Sequence, residues 1–131
     1  MNYLGLDWGK SKLGIAFGSD ITKLASPIMI LSFNTYTEVM EKLQELVEKE
    51  EVEIIVLGKP VSLSGQDSLS KDYNKFVALL EGIEGVKIEF EDERLSTKLA
   101  GQLNREFKGY KKVGDDDLAA AAILQTHFDR M

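Results

Sequence analysis

The sequence predicts an α/β domain built on a five-stranded mixed sheet flanked by helices. Three short apolar runs come first, separated by turns that contain Gly, Ser and Asp, and this pattern is typical of a strand meander. After residue 37, strand-like runs alternate with segments of helical spacing, which favours parallel strands joined by helical crossovers. The chain has 131 residues and no linker or internal repeat, so we expect one domain over residues 1–131.

The first half of the chain contains the meander and one helix. Strands are predicted at 2–7, 13–18 and about 25–32, and their imperfect alternation is expected for strands buried on both faces. A helix is predicted over 37–50, because an apolar stripe faces a row of glutamates there. Either Thr35 or Thr37 is suited to cap the start of that helix.

The second half alternates strands and helices. A fourth strand is predicted at Val52–Leu57, ending before Pro60, because proline cannot donate to a ladder. A loop at 61–67, a helix at about 67–82 and a cleanly alternating strand at Val86–Glu91 follow. The remaining chain is predicted to form a helix at about 96–106, a basic loop at 108–115 and a last helix at about 116–129. The main elements follow the order βββαβαβα, with the helix at 96–106 as an addition before the last.

Composition excludes several classes of site. The chain has no cysteine, so disulfides and thiolate metal sites are ruled out. No apolar run approaches the roughly 18 residues that a membrane-spanning helix needs. The start of the sequence lacks a basic region followed by an apolar segment, so no signal peptide is visible. We therefore expect a cytoplasmic protein without a membrane partner.

The charge is acidic overall but unevenly distributed. A net charge of −6, taken whole, argues against nucleic acid as a partner. Residues 38–53, however, contain seven glutamates against two lysines, so the acidity is concentrated on one predicted helix. Basic residues elsewhere could line a phosphate track or simply be scattered solubilising charges. They are Lys10, Lys12, Lys59, Arg94, Lys98, Arg105, Lys108, Lys111 and Lys112.

Acidic residues stand at three element ends. Asp7 ends the first strand, the pair Asp92 and Glu93 follows the fifth, and Asp115–Asp117 open the last helix. Each alone has an ordinary explanation, as a turn residue, a surface ion pair or a helix cap. Together they could converge at one end of the sheet and offer hard oxygen ligands to Mg²⁺ or Mn²⁺. Two such ions about 3.5–4 Å apart clamp the attacking and leaving oxygens of a phosphodiester.

Two conspicuous side chains are expected to have packing roles. His127 is the single histidine and lies late in the last predicted helix, where it would be a surface or packing residue. Trp8 follows Asp7 and could stack on a nucleobase, but packing beside the hairpin is the simpler expectation.

These motifs, in this order, resemble the YqgF (RuvX) family of Holliday-junction-resolvase-like proteins and pre-16S rRNA nucleases. The resemblance spans nearly the whole chain. It rests on the stretches Gly5-Leu6-Asp7-Trp8-Gly9, Gly14-Ile15-Ala16, Ala25-Ser26-Pro27, Val56-Leu57-Gly58-Lys59-Pro60, Gly65, Asp92-Glu93-Arg94-Leu95-Ser96-Thr97 with Ala100, and Asp116-Asp117-Leu118-Ala119-Ala120 with Ile123-Leu124-Gln125.

The resemblance implies an RNase H-like fold, dependence on a divalent metal and a nucleic-acid substrate. By position, the catalytic and metal-binding acids would be Asp7, Glu93 and Asp116. The Ala-Ala and Ile-Leu-Gln register selects Asp116, whereas the choice between Asp92 and Glu93 stays open at this point. Arg94 and Lys12 would contact phosphate. Lys59, Lys111 and Lys112 are further expected substrate contacts.

The chain departs from the family pattern around the expected phosphate contacts. Lys10-Ser11-Lys12 stands for the usual Thr-Lys-Arg, and Gly58-Lys59-Pro60 stands for Gly-Leu-Pro. Ser96-Thr97 reverses the usual order, and Asp115 replaces a valine. These departures concern the phosphate contacts and leave the set of acids intact.

The leading functional hypothesis is a metal-dependent nuclease for structured nucleic acid, acting at the 5′ end of pre-16S rRNA. The alternatives are a Holliday-junction resolvase and a non-catalytic domain that binds nucleic acid or a ribosomal particle. A nucleotide-binding phosphotransferase also opens with Asp-x-Gly, but it needs two such domains to enclose ATP. The chain could act as a monomer or a homodimer, and a junction resolvase would have to present two sites.

Overall fold

The structure is a computed structural model that describes residues 1–59, 68–92 and 115–131. The elements in chain order are β1 (Asn2–Trp8), β2 (Lys12–Ser19), β3 (Leu24–Ser32), α1 (Tyr36–Lys49), β4 (Val52–Lys59), α2 (Ser68–Glu81), β5 (Lys87–Asp92) and α3 (Asp115–Asp129). The predicted order βββαβαβα is confirmed. The helix expected at 96–106 lies outside the described residues, as does the basic loop expected at 108–115, except for Asp115.

The five strands form one mixed sheet in the order β3-β2-β1-β4-β5. β1 and β3 both pair antiparallel with β2, whereas β4 pairs parallel with β1 and β5. β4 is two residues longer than the sequence indicated, because Gly58 and Lys59 still pair with Glu91 and Asp92. Among the first three strands, β1 and β2 are buried along most of their length, as expected, whereas the expectation is wrong for β3, because this edge strand is largely exposed.

Helices cover both faces of this sheet, and we name the faces by those helices. On the α1–α2 face, the buried stripe of α1 (Val39, Leu43 and Leu46) joins a core with Leu4, Leu6, Ile55, Leu57 and Phe76. On the α3 face, the core is formed by Tyr3, Ala16, Ile54 and Val56 together with Ala120, Ile123, Leu124 and Phe128. The Thr35 hydroxyl accepts a hydrogen bond from the Glu38 backbone N–H, so Thr35 rather than Thr37 caps α1.

The helix α3 lies in close contact with the sheet. A Cβ atom at Gly5 would come within 2.7 Å of the Leu124 Cβ and 2.8 Å of the Ala120 carbonyl oxygen. A Cβ atom at Gly18 would come within 2.6 Å of the Phe128 ring. Glycine at both strand positions therefore allows the helix backbone and a large aromatic ring to approach the sheet directly.

A side chain of α3 also fixes the helix to the edge strand β3. The Gln125 amide accepts a hydrogen bond from the Ala25 N–H at 3.0 Å and donates one to the Lys23 carbonyl at 2.9 Å. Backbone N–H and C=O groups at the start of β3 thereby have hydrogen-bond partners on α3. Pro27, further along the same edge strand, has no N–H that would need a partner. Within the described ranges, no helix is long and apolar enough to cross a membrane.

Replacing Gly5 by alanine should destabilise the protein, because the added methyl group collides with backbone and Cβ atoms that cannot rotate away. Overpacking of this kind costs about 1–3 kcal/mol of unfolding free energy. Urea denaturation followed by circular dichroism measures the effect. The matched control is Gly82→Ala, where the nearest atom to the new Cβ is the Leu79 carbonyl oxygen at 3.3 Å. Equal stability of the two variants would contradict the account of α3 packing.

Candidate functional site

Asp7 lies at the end of the sheet where three parallel strands finish. β1, β4 and β5 run in the same direction, so their carboxyl ends meet at one edge. Asp7 is half-buried and pairs with Gly14 of β2. Its neighbours at alternate positions of β1, Tyr3 and Gly5, both face α3. Alternation along the strand therefore puts the Asp7 carboxylate on the α3 face.

The packing of α3 brings its first turn to this same edge. Phe128 and His127 contact Tyr3, whereas Leu124 and Ala120 lie against Gly5, two residues further along β1. The helix therefore runs antiparallel to β1, and its start at Asp115 lies toward the end of the strand that carries Asp7. Asp116 precedes Ala120 by one helical turn. Ala120, a small residue, is fully buried at this contact.

The structure describes one of the two acids considered at the tip of β5, namely Asp92. Ile88 packs into the core of the α1–α2 face, and Asp92 lies four residues later on the same strand. Asp92 is therefore on the α1–α2 face, opposite to Asp7. Glu91 lies on the α3 face, but it is already engaged by α3. Glu93 is outside the described residues.

The two described lysines among the expected substrate contacts, Lys12 and Lys59, lie on different faces. Leu13 and Ile15 belong to the core of the α1–α2 face, so Lys12 lies on the α3 face together with Asp7. Lys59 pairs with Asp92 and lies on the α1–α2 face. Both lysine side chains are exposed. Arg94, Lys111 and Lys112 are outside the described residues.

The donor chemistry at this edge suits a hard divalent cation. Asp7 is a half-buried carboxylate at a strand end, and three aspartates open the helix that approaches it. Of the three expected ligands, Asp7 is the one whose side chain the structure describes. Within the described ranges no three His, Asp or Glu side chains are arranged to hold a metal. The Asp7 carboxylate is thus of the donor type that such a cation prefers, and Glu93 and Asp116 as further ligands stay predictions from the sequence.

The sequence pattern did not indicate a polar network around the buried Glu91 carboxylate on the α3 face. The carboxylate of Glu91 is 2% exposed; it lies 3.0 Å from Nδ1 of His127 and 2.7 Å from the guanidinium of Arg130. The other ring nitrogen of His127 lies 2.7 Å from Glu89. His127 is thus a packing residue, as expected. Its two ring nitrogens contact different carboxylates, so the three side chains do not converge on one point where a metal ion could bind. This arrangement fastens the C-terminal half of α3 to β5.

Trp8 also has the packing role expected for it. It is 6% exposed, and its ring meets the Tyr73 ring edge-on with 5.5 Å between the centroids. An indole enclosed in this way has no open face on which a nucleobase could stack.

Comparison with known proteins gives relatives that match over nearly the full chain. Two curated relatives carry the name "Putative pre-16S rRNA nuclease". The one from Dehalococcoides mccartyi is 36% identical over 123 residues, covering 92% of each chain. The one from Shewanella denitrificans is 29% identical over 130 residues, covering 96% of this chain and 92% of the relative.

The fold is shared with solved structures of low sequence identity. RuvC of T. thermophilus, solved in complex with Holliday junction substrate, superposes with a TM-score of 0.75 at 14% identity. The match covers 99% of this chain and 95% of that chain. A family model described as "RuvX: Holliday junction resolvase" matches residues 1–130. The chain therefore belongs to the RuvX family, as its motifs indicated.

Proposed function

We propose that this member of a nuclease family hydrolyses phosphodiester bonds of structured RNA, at the 5′ end of precursor 16S rRNA. The observation that carries the proposal is the convergence at one sheet edge. Asp7 lies there on the α3 face, and the contact of α3 with Gly5 directs the acidic start of that helix toward it. Ordinary capping explains acids at a helix start, but it does not explain why that start should approach a half-buried strand-end carboxylate.

Asp7, Glu93 and Asp116 would hold Mg²⁺ or Mn²⁺ at this edge. Bound there, such ions would supply an activated water and stabilise the departing oxygen of the phosphodiester. Asp7 belongs to β1, and Asp116 to α3, two elements fixed to each other by the Gly5 contact. The carboxylates of the chain would therefore be held in place before the substrate arrives, which is the condition for efficient positioning.

The side-chain alternation of β5 favours Glu93 over Asp92 as the third acid. Asp92 lies on the α1–α2 face, so if the chain continued as an extended strand, its next position would fall on the face of Asp7. Glu91 precedes it on that face but is held by His127 and Arg130.

Basic residues around the edge would bind the substrate backbone. Lys12 lies on the face of Asp7, next to the turn between β1 and β2. Arg94, Lys111 and Lys112 would extend this contact. Lys59 is expected to contribute less, because it lies on the α1–α2 face.

Precursor 16S rRNA is the substrate named in the curated relatives, and it would place the protein in the cytoplasm at or near a ribosomal particle. A Holliday junction is the second candidate, supported by the description of the family model and by the superposition on RuvC. A junction resolvase would need two sites and hence a dimer. A non-catalytic binding domain is the third, and it would bind nucleic acid without any metal requirement.

Asp7→Asn should abolish cleavage, because it removes a charged ligand from the metal site. We expect a loss of at least about 100-fold in kcat, comparable with the removal of one key electrostatic group in other enzymes. The melting temperature should stay the same or rise, because repulsion among the acids is relieved. The assay compares precursor rRNA with a four-way DNA junction in the presence of Mn²⁺.

The matched control is Asp92→Asn, which removes an acid from the same edge but from the opposite face. This variant should retain cleavage. Metal-dependent cleavage retained by Asp7→Asn would refute the assignment. Cleavage lost in Asp92→Asn and kept in Glu93→Gln would reverse the choice between those two acids. Preferred cleavage of the junction would favour the resolvase function.

Lys12→Ala should weaken substrate binding more than Lys59→Ala, because Lys12 shares a face with Asp7. Loss of one phosphate contact reduces the slope of log affinity against log salt by about 1. Binding of a non-cleavable substrate at several KCl concentrations measures both slopes. Equal slopes for the two variants, or a larger change in Lys59→Ala, would contradict the proposed path of the backbone.

A further inference from the structure

The sheet is divided at the edge that carries the candidate site. The ladder between β1 and β4 ends at the pair Leu6–Leu57, whereas β4 and β5 remain paired two residues further, to Lys59 and Asp92. β1 and β2 likewise continue together through the pair Trp8–Leu13. Beyond Leu6, the β1–β2 half and the β4–β5 half are therefore no longer joined by strand pairing. Asp7 lies on the first half, and Glu93 follows the second.

One side chain from α2 contacts both halves across this division. The Tyr73 hydroxyl donates a buried hydrogen bond of 3.1 Å to the carbonyl of Gly58, in the first β4 position beyond the end of the ladder. The Tyr73 ring meets the ring of Trp8, the residue that follows Asp7, at an interplanar angle of 77°. Tyr73 is 5% exposed, so both contacts are sheltered from water.

The position of Trp8 depends on this packing. Its indole nitrogen is buried and makes no hydrogen bond in the part of the chain that the structure describes. The indole N–H does lie near the Tyr36 hydroxyl, where it partly counters the effect of burial, which raises the pKa of Tyr36. Because the indole has no well-formed hydrogen bond, packing holds the ring at the tip of β1, and the edge-on contact with Tyr73 is part of that packing.

From this geometry we propose that Tyr73 is a positioning residue, which sets the separation between Asp7 and the tip of β5. The proposal rests on the proposed function, since it assumes that both halves of the edge carry metal ligands. The Tyr73 hydroxyl, bonded to β4, and the Tyr73 ring, packed against Trp8 of β1, hold the two halves together where the ladder does not. Loss of the hydroxyl frees the Gly58 end of this connection and allows the two ligand-bearing halves to separate.

The chain offers a matched pair of variants to test this role. Tyr73→Phe removes the hydroxyl that reaches Gly58 and leaves the ring against Trp8. Tyr36→Phe removes a hydroxyl that also donates to a backbone carbonyl, that of Asp72 at 3.2 Å, but this hydrogen bond joins α1 to α2 rather than α2 to β4. Both variants lose one hydrogen bond from a side chain to the backbone, so a merely structural role predicts similar consequences for the two.

The measurements are the Mn²⁺ dissociation constant from the loss of the free-ion electron paramagnetic resonance signal, and kcat and KM on the cleaved substrate. All are made well below the melting temperature of each variant. We expect Tyr73→Phe to weaken Mn²⁺ binding several-fold and to lower kcat about 10-fold or more with KM little changed, since small misplacements of reacting groups are costly. Tyr36→Phe should match the wild type in both.

Equal Mn²⁺ affinity and equal kcat in the two variants would overturn the positioning role. If the wild type cleaves, Asp7→Asn does not and Tyr73→Phe behaves as wild type, the proposed function stands and the role of Tyr73 fails alone. A wild-type protein that neither binds Mn²⁺ nor cleaves overturns both. A rise in KM without a change in metal affinity would also contradict the proposal, because it would indicate a substrate contact instead.

Discussion

The close contact of α3 with Gly5 is the constraint on which the rest of the structure depends. The Ala120 carbonyl and the Leu124 Cβ occupy the space that any side chain at residue 5 would need. The same helix is held at its far end by the Tyr3–Phe128 contact and by the buried Glu91 carboxylate. A helix fixed at several points along a strand has little freedom in its direction. The acidic start of α3 is therefore brought to the strand end where Asp7 lies, and the proposed chemistry follows from that arrangement.

The architecture also reconciles an acidic protein with a nucleic-acid substrate. The acidic segment at residues 38–53 forms most of α1, the turn into β4 and the first two residues of that strand. α1 packs on the face of the sheet opposite to α3 and Asp7. Lys12, by contrast, shares the face of Asp7. A substrate approaching on the α3 side thus meets a basic residue near the acids, while the bulk of the negative charge lies behind the sheet.

Periodicity predicted the strands, the buried apolar stripe of α1 and the order of the described elements, because these follow from side-chain spacing along the chain. Periodicity did not predict the burial of the Glu91 carboxylate. Alternation along β5 puts the apolar Ile88 and Phe90 on one face and the charged Lys87, Glu89 and Glu91 on the other. Contrary to what that pattern suggests, α3 covers part of the charged face, while Phe90 is 46% exposed. The face on which Asp92 lies depends on the long-range packing of β4, β5 and α3, which spacing along the chain does not indicate. The hydrogen bond from the Tyr73 hydroxyl to the Gly58 carbonyl depends on how α2 packs against β4, and helical spacing alone does not indicate it.

The central claim is that one edge of the sheet, on the α3 face, assembles a metal site around Asp7. A crystal structure with Mn²⁺, with anomalous differences recorded for the ion, tests it most directly. The account predicts an anomalous peak at bonding distance from the Asp7 carboxylate, about 2.1 Å for a small hard cation. Its remaining ligands should come from Glu93 and Asp116. A protein that cleaves RNA with Mn²⁺ but shows the ion at Asp92 or at the Glu91–His127 network, and none at Asp7, would contradict the account.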